Sequence, residues 1–308
     1  MRDEEKYRRR VLKPIDTTGP HEEAETHSEP RPGIAPKPAK PSGTAKRRVE
    51  PFTLDELTLC TDVRPADWAV SAALPFDENT VGCILPPVFA TYARLFHPAR
   101  RTVDDAEQEG SWRDAGQEVP WREVALANGR VPHPGMQWPY ITGSWSFVND
   151  EQPGVWNCPP EEGTLPLRQI TRLVHLLAPH TTTPERCWFA VWEGFGDLDL
   201  PTEDEEIPRV EMPARSMLLL EGPLRAATTS LSDTPWWGRY ASLWWPQDRA
   251  WCVATDVDLM STYIGGSMEC VTALLADEEL EIMEIPLDQR LGWNGDTVNP
   301  PPTGKRPW

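Results

Sequence analysis

The sequence predicts an α+β fold, with a largely antiparallel sheet in the C-terminal half that is faced by helices. Two observations favour this class. Apolar residues at helical spacing dominate the chain before about residue 185, whereas residues 187–257 contain short apolar runs that are typical of strands. These runs follow one another without the regular alternation of strands and helices that a parallel sheet requires.

Three helices are predicted in the first part of the chain. Residues 86–98 and 118–130 have apolar side chains at helical spacing, and each segment has a proline near its start. Residues 163–180 form the most regular helical pattern, with Thr164 as the expected N-cap. Its expected buried stripe is Leu167, Ile170, Leu173, Val174 and Leu177.

The strand predictions come from residues 187–194 and 216–224, which are apolar on both alternating faces, as in a sheet covered on both sides. Residues 242–257 predict a hairpin, because two β-prone runs flank a Pro-Gln-Asp-Arg turn that Asp248 can cap. Residues 280–287 alternate as a final edge strand.

The remaining segments are assigned by elimination and by capping residues. Residues 131–163 predict a loop with one or two short strands, and the acidic residues 197–211 predict a surface loop. Residues 265–280 predict a helix, with Ser267 or a glycine at the N-cap and the Gly-Gly pair before it as a sharp turn.

Both ends of the chain have the composition of disordered segments. Residues 1–50 are rich in proline and charge, and residues 294–308 contain a triple proline. The expected folded part is a single α+β domain over residues 51–293. A lobe boundary near residue 160 is the alternative, but the helix at 163–180 needs the following sheet to cover its apolar stripe.

Charge limits the classes of partner. The chain has a net charge of −18, and residues 1–50 hold twelve Lys/Arg against nine Asp/Glu, so the rest carries about −21. Such a body repels phosphate, which argues against nucleic-acid binding and favours a basic protein partner. No secretory signal or long apolar run is visible, so we expect a cytoplasmic protein that does not bind membranes and keeps its six cysteines reduced.

The fifteen tryptophans are the least ordinary feature of the composition. Tryptophan is enriched at binding surfaces, although most of these rings are expected in the core. The adjacent pairs Trp236/Trp237 and Trp244/Trp245 are candidates for exposure, because two neighbouring strand residues point to opposite faces of a sheet. These four residues are therefore candidate binding residues.

Acidic residues that end apolar runs are the candidate chemical groups. On a continued strand Asp256 and Asp258 would lie on one face, where two carboxylates can hold a divalent cation. The alternatives are that they cap the loop or pair with Arg249. Glu193 and Glu221 also follow apolar strands, and antiparallel pairing would place them at opposite edges of the sheet. Glu193 is kept as a candidate binding residue.

Two resemblances bear on function. The strand followed by Asp-x-Asp resembles a metal and nucleotide-sugar motif of one glycosyltransferase fold, but the preceding chain lacks the alternating strands and helices of that fold. The blocks CWFAVWEGFG, LLLEGPL and SLWWPQDRAWCVATDVDLMSTYIGGS resemble a group of Streptomyces-type actinobacterial proteins over residues 86–285. This second resemblance implies a cytoplasmic protein and transfers no catalytic residue.

The function expected from these observations is a non-enzymatic, immunity-like interaction module without a cofactor. Its acidic, tryptophan-bearing surface would mask a basic protein. The alternative is a metal-dependent enzyme that acts on a nucleotide-sugar or glycan through Asp256 and Asp258.

Overall fold

An antiparallel sheet of ten strands organises the described part of the chain. The structure is a computed structural model and describes residues 52–102, 116–146, 151–234 and 238–304. Its strands are β1 (Thr53–Leu54), β2 (Leu57–Leu59), β3 (Thr91–Phe96), β4 (Ala99–Arg101), β5 (Gln117–Val119), β6 (Cys187–Trp192), β7 (Val210–Met212), β8 (Arg215–Gly222), β9 (Leu243–Pro246), β10 (Trp251–Ala254), β11 (Ser261–Gly266) and β12 (Ile282–Glu284). Its α-helices are α1 (Asp67–Ala72), α2 (Val81–Ile84), α3 (Trp121–Ala127), α4 (Trp138–Thr142), α5 (Leu167–Leu177) and α6 (Met268–Leu275).

The strand order of the large sheet is β1-β2-β8-β6-β9-β10-β11-β3-β12, and β7 pairs with β8 beside this path. The longest pairing joins β6 to β8, from Cys187 opposite Gly222 to Trp192 opposite Met217. Strands β4 and β5 form a separate two-stranded sheet. The α+β prediction is confirmed, although β3 from the first half of the chain lies inside the large sheet.

Helices cover the large sheet on both faces. Phe189 and Val191 of β6 pack in one core with α5 and α6, whereas Trp188 and Ala190 pack in a second core with α1 and α2. This alternation is the period-two pattern of a strand buried on both sides. A third apolar cluster, between β4, β5, α3 and α4, contains the mutually packed rings of Phe96, Trp121, Trp138 and Trp156.

Several predicted elements are confirmed. Strands β6 and β8, the hairpin β9–β10 and the edge strand β12 lie where the patterns place them. The hairpin turn is capped as expected, since Asp248 Oδ1 accepts from the backbone N–H of Ala250 at 3.2 Å. Helix α6 begins after Ser267, whose Oγ accepts from the backbone N–H of Cys270 at 3.1 Å.

The helix predicted over residues 86–98 is wrong. Residues Thr91–Phe96 form β3, and all six are buried because β3 lies between β11 and β12 with both faces covered. A strand that is apolar on both faces also satisfies helical spacing, so periodicity cannot distinguish the two in so short a run.

Smaller differences have similar causes. The Gly-Gly pair does not form a turn but ends β11, where the rings of Phe89 and Tyr92 occupy the space that a side chain on Gly265 would need. In the described parts of residues 131–163, which leave out 147–150, the structure has helix α4 and no strand. Helix α5 is preceded by Pro166 at its N-cap, and the Oγ1 of Thr164 instead accepts from the backbone N–H of Tyr240 at 3.3 Å. Part of the acidic loop pairs as β7.

Residues 294–304 do not form a disordered tail. Asp296 and Asn299 are each 5% exposed. The Oδ1 of Asp296 accepts from His133 Nε2 at 2.9 Å, and Asn299 exchanges hydrogen bonds with the backbone of Val131. The predicted tail over residues 1–50 lies outside the described residues. No boundary separates the described chain near residue 160, because β3 shares its sheet with the strands that follow.

Candidate functional site

Asp256 and Asp258 lie after the end of β10, in the turn that leads to β11. Strand β10 ends at Ala254, so the shared strand face expected for the two aspartates is not formed, and a guanidinium instead bridges their carboxylates. Arg215 Nε donates to Asp256 Oδ2 at 3.0 Å, while its Nη2 donates to Asp256 Oδ1 at 3.0 Å and to Asp258 Oδ2 at 2.9 Å. Of the two alternatives, the pairing with Arg249 is wrong, since the guanidinium of Arg249 lies over the ring of Trp68, whereas Asp256 does cap the turn, because its Oδ1 accepts from the backbone N–H of Asp258 at 3.1 Å.

Arg215 therefore holds the position between the two carboxylates that a cation would take. Its side chain is 14% exposed and Asp256 is 9% exposed, so this pair is largely removed from water. The guanidinium also packs against the rings of Phe76 and Trp192, at 5.2 and 5.5 Å from their centroids. Within the described ranges, no group of three or more His, Cys, Asp or Glu is arranged to hold a metal ion. The arrangement clamps the start of β8 to the β10–β11 turn.

Glu193 is likewise paired with an arginine. Arg209 Nε donates to Glu193 Oε2 at 2.6 Å, and this hydrogen bond lowers the pKa of the Glu193 carboxyl. Glu193 follows β6 and so lies beside the start of β8, whereas Glu221 lies near the end of β8 and pairs with Arg186 at 2.8 Å. The expectation that the two glutamates lie at opposite edges is confirmed, so they do not form a catalytic pair.

The suggested exposure of Trp244 and Trp245 is wrong. They are 3% and 0% exposed. They do point to opposite faces of β9, Trp244 into the core of α5 and α6 and Trp245 into the core of α1 and α2. Both are buried because both faces of the sheet are covered. Trp236 and Trp237 lie outside the described residues.

A cleft of about 210 Å³ opens where the end of β3, the start of α3, the start of α5 and the segment between α6 and β12 meet. Four glutamates and two arginines line it, together with an amide and several apolar side chains. The lining residues are Leu95, Phe96, Pro98, Glu118, Pro120, Arg122, Arg168, Gln169, Glu278, Glu279, Leu280 and Glu281.

Gln169 gives this cleft its unusual chemistry. The residue is 3% exposed, and its Nε2 donates to Glu118 Oε1 at 3.0 Å. The opposite orientation of the amide would set two acceptor oxygens against each other, so the carboxylate fixes the orientation. The Oε1 of Gln169 is then buried without a hydrogen-bond partner in the described part of the chain. Such an unsatisfied acceptor costs about 1–3 kcal/mol.

The glutamates that line the cleft differ in the hydrogen bonds and ion pairs that they form. Glu281 is 9% exposed and accepts from the backbone N–H groups of Trp121 at 2.5 Å and Arg122 at 2.8 Å. Burial raises the pKa of the Glu281 carboxyl, and these hydrogen bonds oppose the rise. Glu281 therefore anchors the start of α3. Glu118 pairs with Arg168 at 2.9 Å.

The other two glutamates of the cleft, Glu278 and Glu279, are exposed to solvent. Glu279 is 53% exposed and pairs with Arg172 at 3.3 Å. Glu278 is exposed and forms no ion pair among the residues that the structure describes. Arg122 is also exposed at the rim, and its guanidinium has no ion pair within the same ranges. The lining of the cleft thus ranges from the buried, hydrogen-bonded Glu281 to the exposed Glu278.

A second acidic feature is the loop 203–206, which carries Glu-Asp-Glu-Glu. Arg209 orders it from the inside, where its guanidinium donates to the backbone carbonyls of Thr202, Asp204 and Ile207 as well as to Glu193. The side chains of Glu203, Glu205 and Glu206 remain exposed, and none forms an ion pair within the described ranges. Arg209 therefore stabilises the backbone of the loop and leaves its exposed glutamates without an ion pair in the described ranges.

Sequence reasoning missed Arg215, Arg209 and the cleft. Arg215 lies 41 and 43 residues from Asp256 and Asp258 in sequence, and no local pattern marks it. Arg209 lies 2 to 16 residues from its partners, but most of these are backbone carbonyls, which the sequence does not mark. Gln169 had a usable signal, because it lies four residues before Leu173 on the helix and so takes a core position. The structure indeed buries Gln169, whereas Leu167 of the predicted stripe is 44% exposed.

A scan against protein-family models and searches of curated proteins and of solved structures found no match. Among the helices of the described ranges, none has the length and hydrophobicity that crossing a bilayer requires. The function is therefore inferred from the geometry and charge of the chain itself.

Proposed function

We propose that this protein is a non-enzymatic interaction module, of an immunity-like kind, that binds a basic protein partner through acidic surface features. The observation that carries the proposal is the loop 203–206, whose exposed glutamates have no ion pair in the described ranges although Arg209 lies beside them. Complementary charge of this kind steers association and selects partners.

The distribution of basic residues supports the same proposal. The sequence has no lysine between residues 47 and 304, so every basic side chain of the body other than histidine is an arginine. Many of these arginines are engaged in ion pairs with the protein's own acids, for example Arg168, Arg172 and Arg225. Their positive charge is therefore neutralised within the fold, and the excess acidic side chains remain available to a partner.

The tryptophans contribute to the core and not to the proposed surface, at least at Trp244 and Trp245. The alternative of a metal-dependent enzyme at Asp256 and Asp258 gains no support, because Arg215 already bridges both carboxylates. The interaction proposal needs neither group.

The test is co-purification of the tagged full chain from native lysate, with quantitation of stoichiometric partners. We expect a Lys/Arg-rich protein whose recovery falls as salt rises, because salt screens exposed charges over about 10 Å at 0.1 M. The triple variant Glu203→Gln, Glu205→Gln and Glu206→Gln should recover less of it. Carbodiimide cross-linking then locates the contact, since the body offers no lysine of its own to the loop glutamates.

A matched control neutralises three exposed acids elsewhere, with Asp55→Asn, Asp77→Asn and Asp288→Asn. This variant has the same net charge as the loop variant and should retain the partner. Recovery of no stoichiometric partner, or of an acidic partner that salt does not release, would contradict the proposal. Equal loss in both variants would show that net charge matters and the loop does not.

A further inference from the structure

We propose that the open edge of β12 binds an extended basic segment of the partner, which adds to the large sheet as a further antiparallel strand and places a lysine or arginine beside Glu284. The choice of a basic partner rests on the proposed function. The backbone pairing stands on separate observations and has a test of its own.

The first observation is the direction of the backbone groups of β12. This strand ends the strand order of the large sheet and pairs with β3 in an antiparallel register. The carbonyl of Glu281 accepts from β3, and the backbone N–H of Ile285 donates to β3, each at 3.0 Å. Residues that bond to a neighbouring strand alternate with residues that face away from it. Ile282 and Glu284 therefore direct their N–H and C=O groups away from β3.

These outward groups are free to pair with another strand. Among the residues that the structure describes, none forms a backbone hydrogen bond with Ile282 or Glu284 on that side. Ile282 is partly exposed and Glu284 is exposed. Each offers one donor and one acceptor. Unpaired backbone groups at a sheet edge are the template to which extended peptides add as strands.

The second observation is the charge along this edge. Glu284 forms no ion pair within the described ranges, and neither do the exposed Glu278 before β12 and Asp288 after it. Arg122, whose backbone N–H donates to Glu281, opposes this charge at the start of β12. The end of β12 that carries Glu284 therefore attracts a basic strand and repels an acidic one.

The side chains of β12 define what the added segment must carry. Ile282 and Glu284 lie on one face of the strand, and Ile282 packs against the core of α5 and α6. Antiparallel pairing sets one partner residue opposite Glu284 and the residue two positions later opposite Ile282. The segment that fits has a basic residue, any residue and then an apolar, β-branched residue, because cross-strand neighbours of these kinds stabilise a pair.

A second copy of this chain fits the edge less well. Two β12 strands paired edge to edge would each bring Glu278, Glu284 and Asp288 to the contact, and like charges across a strand pair are destabilising. We therefore expect the full chain to sediment as a monomer at the concentrations used for peptide binding. A dimer that the peptide dissociates would show that β12 pairs with its own copy, and would overturn this choice of occupant.

The probe is the capped pentapeptide Thr-Lys-Thr-Val-Thr, with Thr-Glu-Thr-Val-Thr as the charge control. Binding to the full chain is followed by NMR at the backbone N–H groups of Ile282 and Glu284. We expect the lysine peptide to shift both resonances in a saturable way and to slow their exchange with deuterium, because both groups become hydrogen-bonded. Met283, whose N–H faces β3, should exchange slowly in the free chain as well. The glutamate peptide should bind about fivefold more weakly or worse.

Methylation of the peptide backbone separates strand pairing from charge attraction. In the proposed register the N–H of the valine faces β12, whereas that of the central threonine faces away. A methyl group on the valine nitrogen should weaken binding about two- to tenfold, as for a lost hydrogen bond. The same group on the central threonine nitrogen should leave binding unchanged. Equal effects of the two methyl groups would overturn the strand pairing, since both peptides carry the same charge.

Variants of Glu284 test the charge. Glu284→Gln removes the charge but keeps an acceptor for the hydroxyl of Thr91, which donates to Glu284 at 3.1 Å. It should bind the lysine peptide about two- to fivefold more weakly. Glu284→Lys should reverse the preference, so that the glutamate peptide binds more tightly. The melting temperature shows whether each variant keeps the fold. Asp55→Asn is the matched control, since Asp55 is exposed in the β1–β2 turn at the opposite edge of the sheet, and it should bind as the parent does.

The inference and the proposed function fail in different ways. If a basic partner is recovered but the lysine peptide leaves Ile282 and Glu284 unaffected, or binds no better than the glutamate peptide, the edge inference is wrong and the interaction module stands. If the lysine peptide binds at β12 and no basic partner is recovered, the edge is a peptide-binding site and the proposed function is wrong.

Discussion

Arg94 on β3 is a buried cation without a carboxylate partner at hydrogen-bond distance in the described ranges. It is 2% exposed. Its Nε donates to Ser261 Oγ at 3.0 Å, and its Nη1 donates to the carbonyls of Pro134 and Met136 at 2.9 and 2.8 Å. Its guanidinium also lies over the ring of Phe96, 4.4 Å from the centroid. Burial lowers the pKa of Arg94. The side chain thus joins the central sheet to the segment before α4.

Two substitutions separate its charge from its shape. Arg94→Met keeps most of the stem and removes the charge, which leaves two buried carbonyls unsatisfied at about 1–3 kcal/mol each and relieves the burial of an ion. The net loss should be about 1–3 kcal/mol. Arg94→Lys keeps a charge that is more strongly hydrated and cannot form the same fork of hydrogen bonds. We expect it to lose more, about 3–5 kcal/mol.

The assay is urea unfolding followed by circular dichroism at neutral pH, with the slope m compared between variants. The order of stability should be parent, Arg94→Met and then Arg94→Lys. A lysine variant as stable as the parent, or more stable than the methionine variant, would show that the fork of guanidinium hydrogen bonds is not needed. Positive charge alone, and not the planar guanidinium, would then explain Arg94.

Three other perturbations have defined outcomes. Mg²⁺, Mn²⁺ and Ca²⁺ should leave the melting temperature of the parent unchanged, and a rise in that temperature with any of these ions would contradict the arginine clamp. Arg215→Ala should lower the free energy of unfolding by about 3 kcal/mol, because it leaves the buried carboxylate of Asp256 unpaired. Burial lowers the pKa of His97 to about 4. Stability should therefore fall from about pH 6.5 to pH 4, by at most about 3 kcal/mol, and His97→Gln should remove this part of the pH dependence in urea titrations. Burial raises the pKa of Asp296, but hydrogen bonds led by that from His133 give a net lowering. Asp296→Asn should thus lose about 2 kcal/mol at pH 7, and its difference from the parent should shrink below about pH 4, as chemical denaturation at both pH values would show. A constant difference would mean that the charge of Asp296 contributes nothing.

Much of the sheet could be predicted because its signals are local. The turn chemistry around Asp248 and the cap at Ser267 act over a few residues, and both are confirmed. The predictions failed where a signal has two structural solutions. Residues 91–96 satisfy helical spacing and also form a strand buried on both faces, and tertiary burial decided between them.

The candidate site was predicted less well for the same kind of reason. Asp256, Asp258 and Glu193 are visible in sequence as acids that end strands, but Arg215 and Arg209, which pair with them, are recognisable only once the sheet is assembled. Trp245 is hidden by helices that come from the first third of the chain. Its burial depends on contacts across more than a hundred residues.

The fold class, most strand positions of the second half and the acidity of the body follow from the sequence alone, because propensity, turn chemistry and net charge are properties of short segments or of composition. Which charges neutralise one another depends instead on the tertiary structure. It paired Arg215 with Asp256 and left Glu278 and the loop 203–206 uncompensated, and it left one amide oxygen of Gln169 without a partner in the described ranges. Electrostatic and hydrogen-bond partners are set by proximity in space, which local sequence does not encode.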